Sequence, residues 1–356
     1  MRLARLLLRY SFSLALASLL AFTCVGSGAA SAQPIRLKIV GGLADVEQYT
    51  AFEAPFWTQR VPLLTAGAVQ AEIAPFDRSG IRGQDLPRLV RLGVTPFANV
   101  LLAVSASDDA ELDVLNLPLA NGDLGELATT AARWQPRLAA LIRERYGAEL
   151  LAIYTYPAQV IMCRGPFQGL DDLAGRRVRT SSVAQAELMT ALGATPVVIP
   201  FAEAVPAMRD GVVQCAITGA LSANSIGLAN VATHISARPV NWGVSAFIAN
   251  TAAWQALPAS IREQLRNGLR QLQDEIWQSA GRAEAMGMLC NTGQPACRGG
   301  TRGRMQAVEE PAQVEFRRLL LREVVLPGWW RRCGQSCEQT WNSVAVPPSS
   351  PAQGAR

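Results

Sequence analysis

The chain has 356 residues, of which 49% are hydrophobic, with 33 basic and 28 acidic side chains and a single histidine. A net charge of +5 spread over this length is no nucleic-acid footprint, so no nucleic-acid partner is expected. The length is too great for one small core and suits two lobes.

Residues 1–32 read as a targeting segment. Arg2, Arg5 and Arg9 make a basic start, and Ser11 to Thr23 is an apolar run too short to span a bilayer as a helix. Ala30-Ser31-Ala32 is a small-residue cleavage signature, so the mature chain is expected to begin at Gln33, in the periplasm. Cys24 leaves a lipoprotein as the alternative, although Thr23 before it fits that motif poorly. Without the three arginines the balance is 30 basic against 28 acidic residues.

Ile35 to Gly42 (IRLKIVGG) is a first strand that ends in a glycine pair. Ala51 to Leu64 reads as a helix with Phe52, Phe56 and Trp57 near one face, mostly core. The Gly41–Gly42 turn and Tyr49 are candidates to line a cleft. Val69 to Phe76 alternates as a strand, Gln84 to Leu92 is a helix stopped by Gly93, and Phe97 to Val104 is a buried strand. This βαβαβ order builds one lobe. Leu124 to Tyr146 is helical with an interruption at Pro136, and Glu149 to Thr155 is another strand. Pro157 to Cys163 (PAQVIMC) leaves the first lobe and enters the second.

The stretch from Asp171 to Ser222 repeats the pattern. Arg176 to Thr180 is a strand, Ser181 and Ser182 can cap a helix over Val183 to Leu192, and Gly193 suits its stop. Pro196 to Pro200 is a buried strand, Phe201 to Asp210 a helix, and Val212 to Ile217 a third strand. Strands alternating with such helices imply parallel pairing, with ligands bound beyond the carboxyl ends of the strands. Arg179 sits at such an end, just before a helix N-terminus, where a guanidinium and free N–H groups can hold a carboxylate. The plainer alternative is a surface arginine paired with a nearby aspartate.

Asn241-Trp242-Gly243 precedes Val244 to Ala249, which crosses back to the first lobe. Trp242 is placed there either to stack on a ligand or to pack in the core. A long helix follows over Ala259 to Met286, then a helix over Glu309 to Glu323, and the Pro/Ser-rich end reads as disordered. The domain plan is a signal peptide over 1–32, lobe I over 33–156 plus 245–284, and lobe II over 157–244 plus 285–340. A tail over 341–356 completes it.

The order DLAGRRVR, AELMTALGATPV, PFAEA and GVV resembles the second-domain core of the DctP-like solute-binding proteins of tripartite ATP-independent periplasmic (TRAP) transporters. The likeness continues more weakly over most of the mature chain, including NTAAWQALP at Asn250 to Pro258. It implies an α/β, two-lobe periplasmic binding protein of type II-like form, each lobe a mixed, mainly parallel sheet flanked by helices. It also implies that Arg179 clamps a ligand carboxylate and that Phe201 lines the cleft. Gln159 stands where the family often has a second ligand-contacting arginine. Gln214-Cys215 and Thr218-Gly219-Ala220 stand where Asp-Gly and Glu-Asn-Pro are common, leaving Thr218 as a candidate contact. The implied function is capture of a small organic anion by cleft closure, without cofactor or catalysis, and delivery to a TRAP permease in the membrane. The alternatives are a receptor presenting the same lobes to a membrane kinase, and a periplasmic enzyme using Cys215 with His234.

Cys290 and Cys297 flank a Gly/Pro-containing loop, and Cys333 and Cys337 flank a short one, so an exported chain is expected to pair each couple as a disulfide. Zinc held by the four is the rival; neither spacing is that of a common zinc knuckle. Cys163 and Cys215, in apolar strand-like runs, read as buried free thiols. The sequence contains no Walker loop, HExxH or GxSxG motif.

Overall fold

A computed structural model describes residues 33–309 and 313–344. The expected signal peptide over 1–32, with Cys24, lies outside these residues, as do residues 345–356. Strand β1 (Ile35–Gly41) is followed by helical turns over 48–64, β2 (Val69–Pro75), α1 (Leu86–Arg91) and β3 (Phe97–Leu101). Next come α2 (Leu124–Tyr146), β4 (Ala148–Cys163), β5 (Arg177–Thr180), α3 (Val183–Ala191) and β6 (Thr195–Val198). Then follow α4 (Ala204–Arg209), β7 (Cys215–Gly219), α5 (Ala220–Ser225), β8 (His234–Ser236) and β9 (Asn241–Asn250). The chain closes with α6 (Ala259–Asn291), β10 (Gln306–Val308), α7 (Val314–Leu320), α8 (Leu326–Cys333) and α9 (Gln335–Val344).

The hydrogen-bonded order is β2-β1-β3-β9-β4-β7-β5-β6. The outer strands pair in parallel within each lobe: β1 with β3, and β5 with both β6 and β7. The central strands β4 and β9 are antiparallel to each other and to their neighbours β7 and β3. Two strands thus run through both lobes. The sequence separates β4 into two strands around Pro157; the structure makes it one strand of 16 residues. Its register against β9 shifts between Leu150 and Ala152 and again between Thr155 and Ala158. A proline, lacking an N–H, is tolerated at such an irregularity.

Helix α2 also runs unbroken through Pro136. Its start is held at the N-cap: Asp123 Oδ1 accepts from Glu126 N at 2.9 Å, and Glu126 Oε2 accepts from the N–H of the preceding Gly122 at 2.7 Å. Helix α6, at 33 residues, is about 50 Å long and reaches along both lobes. Near the first shift in β4, the Ile153 N–H donates to Gln273 Oε1 and its carbonyl accepts from Trp277 Nε1, each at 2.8 Å. The helix so satisfies backbone groups of the strand it covers.

At its far end α6 meets α5 through Gly287. A Cβ there would lie 2.3 Å from Leu221 N and 2.7 Å from Ala220 Cβ, so the two helices can touch only at glycine. Gly287→Ala forces them apart and is expected to cost about 1–3 kcal/mol, as overpacking does. Thermal melting checks it; an unchanged midpoint would mean that α5 shifts freely.

The C-terminal helices differ from the plan read from sequence. Residues 341–344 belong to α9, and the Trp341 ring packs tilted against Trp134 and edge-on against Trp329, with centroids 6.2 and 5.8 Å away. Trp329 Nε1 donates to Ala110 O at 2.6 Å, while Arg332 Nε reaches Glu187 Oε1 at 3.1 Å on α3. The same guanidinium lies 3.5 Å from Asp113, so this module touches both lobes.

Candidate functional site: a cleft between two lobes

Strand β5 ends in the second lobe, and its penultimate residue is Arg179. The side chain is 3% exposed and is the only buried arginine or lysine among the described residues. Its Nε donates to Ile199 O at 2.8 Å and its Nη1 to Ile217 O at 2.9 Å. Both acceptors are neutral carbonyls, and no carboxylate pairs with Arg179 among the described residues. Burial alone pushes its guanidinium down to about 10. A buried cation without a counter-charge is costly, and a guanidinium has five donors to satisfy. The reading of Arg179 as a surface arginine paired with aspartate does not hold.

Ser182, as expected, caps α3: its Oγ accepts from Gln185 N at 3.2 Å. Gln185 Nε2 donates to Gln159 Oε1 at 2.7 Å and to Asn241 Oδ1 at 2.8 Å, and Asn241 Nδ2 donates to Asn116 O at 2.9 Å. Gln159 therefore belongs to an amide chain joining α3 to both central strands. Its carbonyl oxygen is occupied; its Nε2 lies 3.1 Å from where a Cβ on Gly243 would stand. Thr218 is buried, opposite Val160 and one residue before the end of β7. Phe201 is half-buried at the first turn after β6. Trp242 is 1% exposed, donates from Nε1 to Asn121 O at 3.3 Å and packs in the main core. It is a core residue.

In the first lobe the Gly41–Gly42 turn surrounds a group that the sequence reading missed. Glu53 is fully buried and accepts from Gly42 N at 3.0 Å, Gln48 Nε2 at 2.8 Å and Asn99 Nδ2 at 2.7 Å. Burial raises its carboxyl to about 7 against the opposing pull of these three bonds. A Cβ on Gly42 would lie 2.8 Å from Tyr156 Oη and 2.9 Å from Glu53 Oε1, so only glycine fits. Glu53 sits in an aromatic, apolar helical run, and its spacing carried no signal of its role.

A cavity of about 430 Å³ opens between the lobes beside the hinge, with Gln48 and Tyr156 on one side and Leu221 and Ser222 on the other. Ser225 Oγ donates across it to Asp45 O at 2.7 Å. Arg179 does not line this space, whose lining includes Ser222 and Pro157. Ser222 Oγ and Pro157 O lie 3.2 and 3.5 Å from where a Cβ on Gly219 would be.

All three cysteine couples are disulfides. Cys290–Cys297 and Cys333–Cys337 are paired as expected, with Cα separations of 4.6 and 5.8 Å. Cys163 and Cys215 are not free thiols. They face each other in register on antiparallel β4 and β7, their Cα atoms 4.0 Å apart, and are bonded. The sequence hid this because the two residues are 52 positions apart and only the strand register brings them together. Non-reducing peptide mapping is expected to recover a Cys163–Cys215 linked peptide, and two alkylatable thiols in its place would overturn the assignment. The bond also leaves Cys215 without a thiol to work with His234.

Two lobes joined by shared strands, with a cavity between them and an unpaired buried cation in one, define a solute-binding protein. Residues 47–286 match the model of the bacterial extracellular solute-binding protein family 7 (DctP), and the chain belongs to that family. It is 26% identical over 251 residues to the C4-dicarboxylate-binding periplasmic protein DctP of Rhodobacter capsulatus, covering 70% of this chain and 68% of the relative. Its fold is similar to that of DctP7 of Bordetella pertussis, an extracytoplasmic solute receptor binding pyroglutamic acid. The TM-score is 0.77 at 19% identity, over 87% of this chain and 99% of that one. A TRAP periplasmic solute-binding protein of Rhodoferax ferrireducens, with bound malonate, gives 0.72 at 17% identity, over 87% and 100%.

Proposed function

We propose that this chain is the extracytoplasmic receptor of a TRAP transporter, holding a small organic acid through Arg179 and delivering it to a membrane permease. The observation that carries the reading is the buried guanidinium of Arg179, bonded only to neutral carbonyls near the end of strand β5. A ligand carboxylate would supply the missing counter-charge through a two-pronged, charge-assisted contact. Gln159, Thr218 and Phe201 border the same region and are proposed to contact the ligand, Gln159 through its Nε2 donor. The relatives named above include a C4-dicarboxylate-binding protein, a receptor binding pyroglutamic acid and a protein with bound malonate. On this reading the chain acts in the periplasm, with residues 1–32 removed, and it is no enzyme. No helix among the described residues is long and apolar enough to cross a membrane.

The test is to release the small molecule that co-purifies with the mature protein by mild denaturation and to determine its mass. One organic acid per chain is expected. A released molecule without a carboxylate would overturn the reading.

A further inference from the structure

We infer that the ligand is a monocarboxylate whose other end donates hydrogen bonds, and that Glu53 with Gln48 and Asn99 excludes dicarboxylates. This rests on the carboxylate reading of Arg179 and narrows it.

The buried charges of the two lobes are unlike. The second lobe offers one buried cation, Arg179, and the side chain of nearby Gln159, held by Gln185, is neutral. The first lobe offers an acid. Glu53 has no cationic partner among the described residues; its contacts are Gln48, Asn99 and the Gly42 N–H. Around it, Gln48 Oε1 and Asn99 Oδ1 are buried acceptors without a donor, and they outnumber the nearby hydroxyl without a partner, that of Tyr156. A site rich in unfilled acceptors calls for N–H or O–H groups. A second ligand carboxylate would instead meet Glu53 and two carbonyl oxygens, an arrangement that repels the wrong ligand as much as it attracts the right one.

Tyr156 connects the two halves. Its hydroxyl lies 2.8 Å from the position of a Cβ on Gly42, next to Glu53. At its other end its Cβ and Gln159 Nε2 approach a single point above Gly243, at 3.2 and 3.1 Å. Gln48 and Tyr156 both line the 430 Å³ cavity between the lobes. A small acid clamped in the second lobe and extended along Tyr156 would bring its far end to these acceptors.

The experiment is calorimetry on the ligand-stripped mature protein. L-pyroglutamate and L-lactate, each with one carboxylate and an N–H or O–H donor, are compared with malonate and L-malate. At least one monocarboxylate is expected to bind about tenfold or more tighter than either dicarboxylate. Glu53→Gln should shrink that ratio about tenfold, and Gln159→Arg, which adds a second cation from the hinge, should raise dicarboxylate affinity by a similar factor. The second variant keeps the test open if the first fails to fold. A dicarboxylate binding the wild type as tightly as the monocarboxylates overturns the inference alone, as does an unchanged ratio in both variants. Failure of every carboxylate to bind removes the carboxylate reading, and this inference with it.

Discussion

Arg179→Ala is expected to weaken ligand binding by about 2–5 kcal/mol, the usual cost of truncating one member of a buried charge pair. That is roughly a thirtyfold to several-thousandfold loss of affinity. The reason is the environment of the guanidinium. It is already stripped of water, and the two carbonyls that hold it, on Ile199 and Ile217, fix its plane without neutralising it. On the proposed reading, a ligand carboxylate would therefore meet a preoriented, desolvated fork. Arg179→Lys keeps the charge but loses the fork and cannot reach both carbonyls and both carboxylate oxygens, so it should recover only part of the loss. Gln159→Ala should cost only about 1 kcal/mol, because one neutral donor is removed. Calorimetry with the co-purified ligand measures all three, with a melting curve of each unliganded variant to establish folding. A folded Arg179→Ala protein that binds within threefold of wild type would make Arg179 a purely structural residue.

The sequence made Arg179 visible because the reasons for its position are local. A short β-prone run, two serines able to cap and a glycine stop place it at a strand end before a helix, and Ser182 does form that cap. The hinge was legible for a similar reason: Pro157 marks the irregularity in β4, even though the strand continues through it. Glu53 was not legible. Its environment comes from Asn99, 46 residues away on strand β3, and from Gly42, which the fold places beside it. The bond between Cys163 and Cys215 is likewise a property of β4–β7 register, which no local pattern encodes. The C-terminal helices show the same limit. Arg332 finds Asp113 and Glu187 only when both lobes are in place.

Lowering the pH from about 8 to 5 is expected to stabilise the fold, opposite to the usual acid response. Two carboxyls set the direction. Burial raises Glu53 from 4.5 to about 7, and raises Asp113 from 3.8 to about 7 although Arg332 pulls the other way. Each group binds its proton more tightly folded than unfolded. Between its unfolded and folded values folding takes up a proton, so stability falls as pH rises through that window and levels off above it. At about 1.4 kcal/mol for every tenfold gain in proton affinity, each site carries on the order of 3 kcal/mol. The cost at high pH is that of keeping an ionised carboxylate out of water; Asp113 is only partly relieved by an arginine 3.5 Å away that it shares with Glu187. Glu53→Gln and Asp113→Asn together should flatten the profile between pH 5 and 8. Calorimetric melting of the unliganded wild type and the double variant across that range decides it. A wild-type midpoint that rises with pH, or a double variant with the wild-type slope, would show that these two carboxyls do not govern the profile.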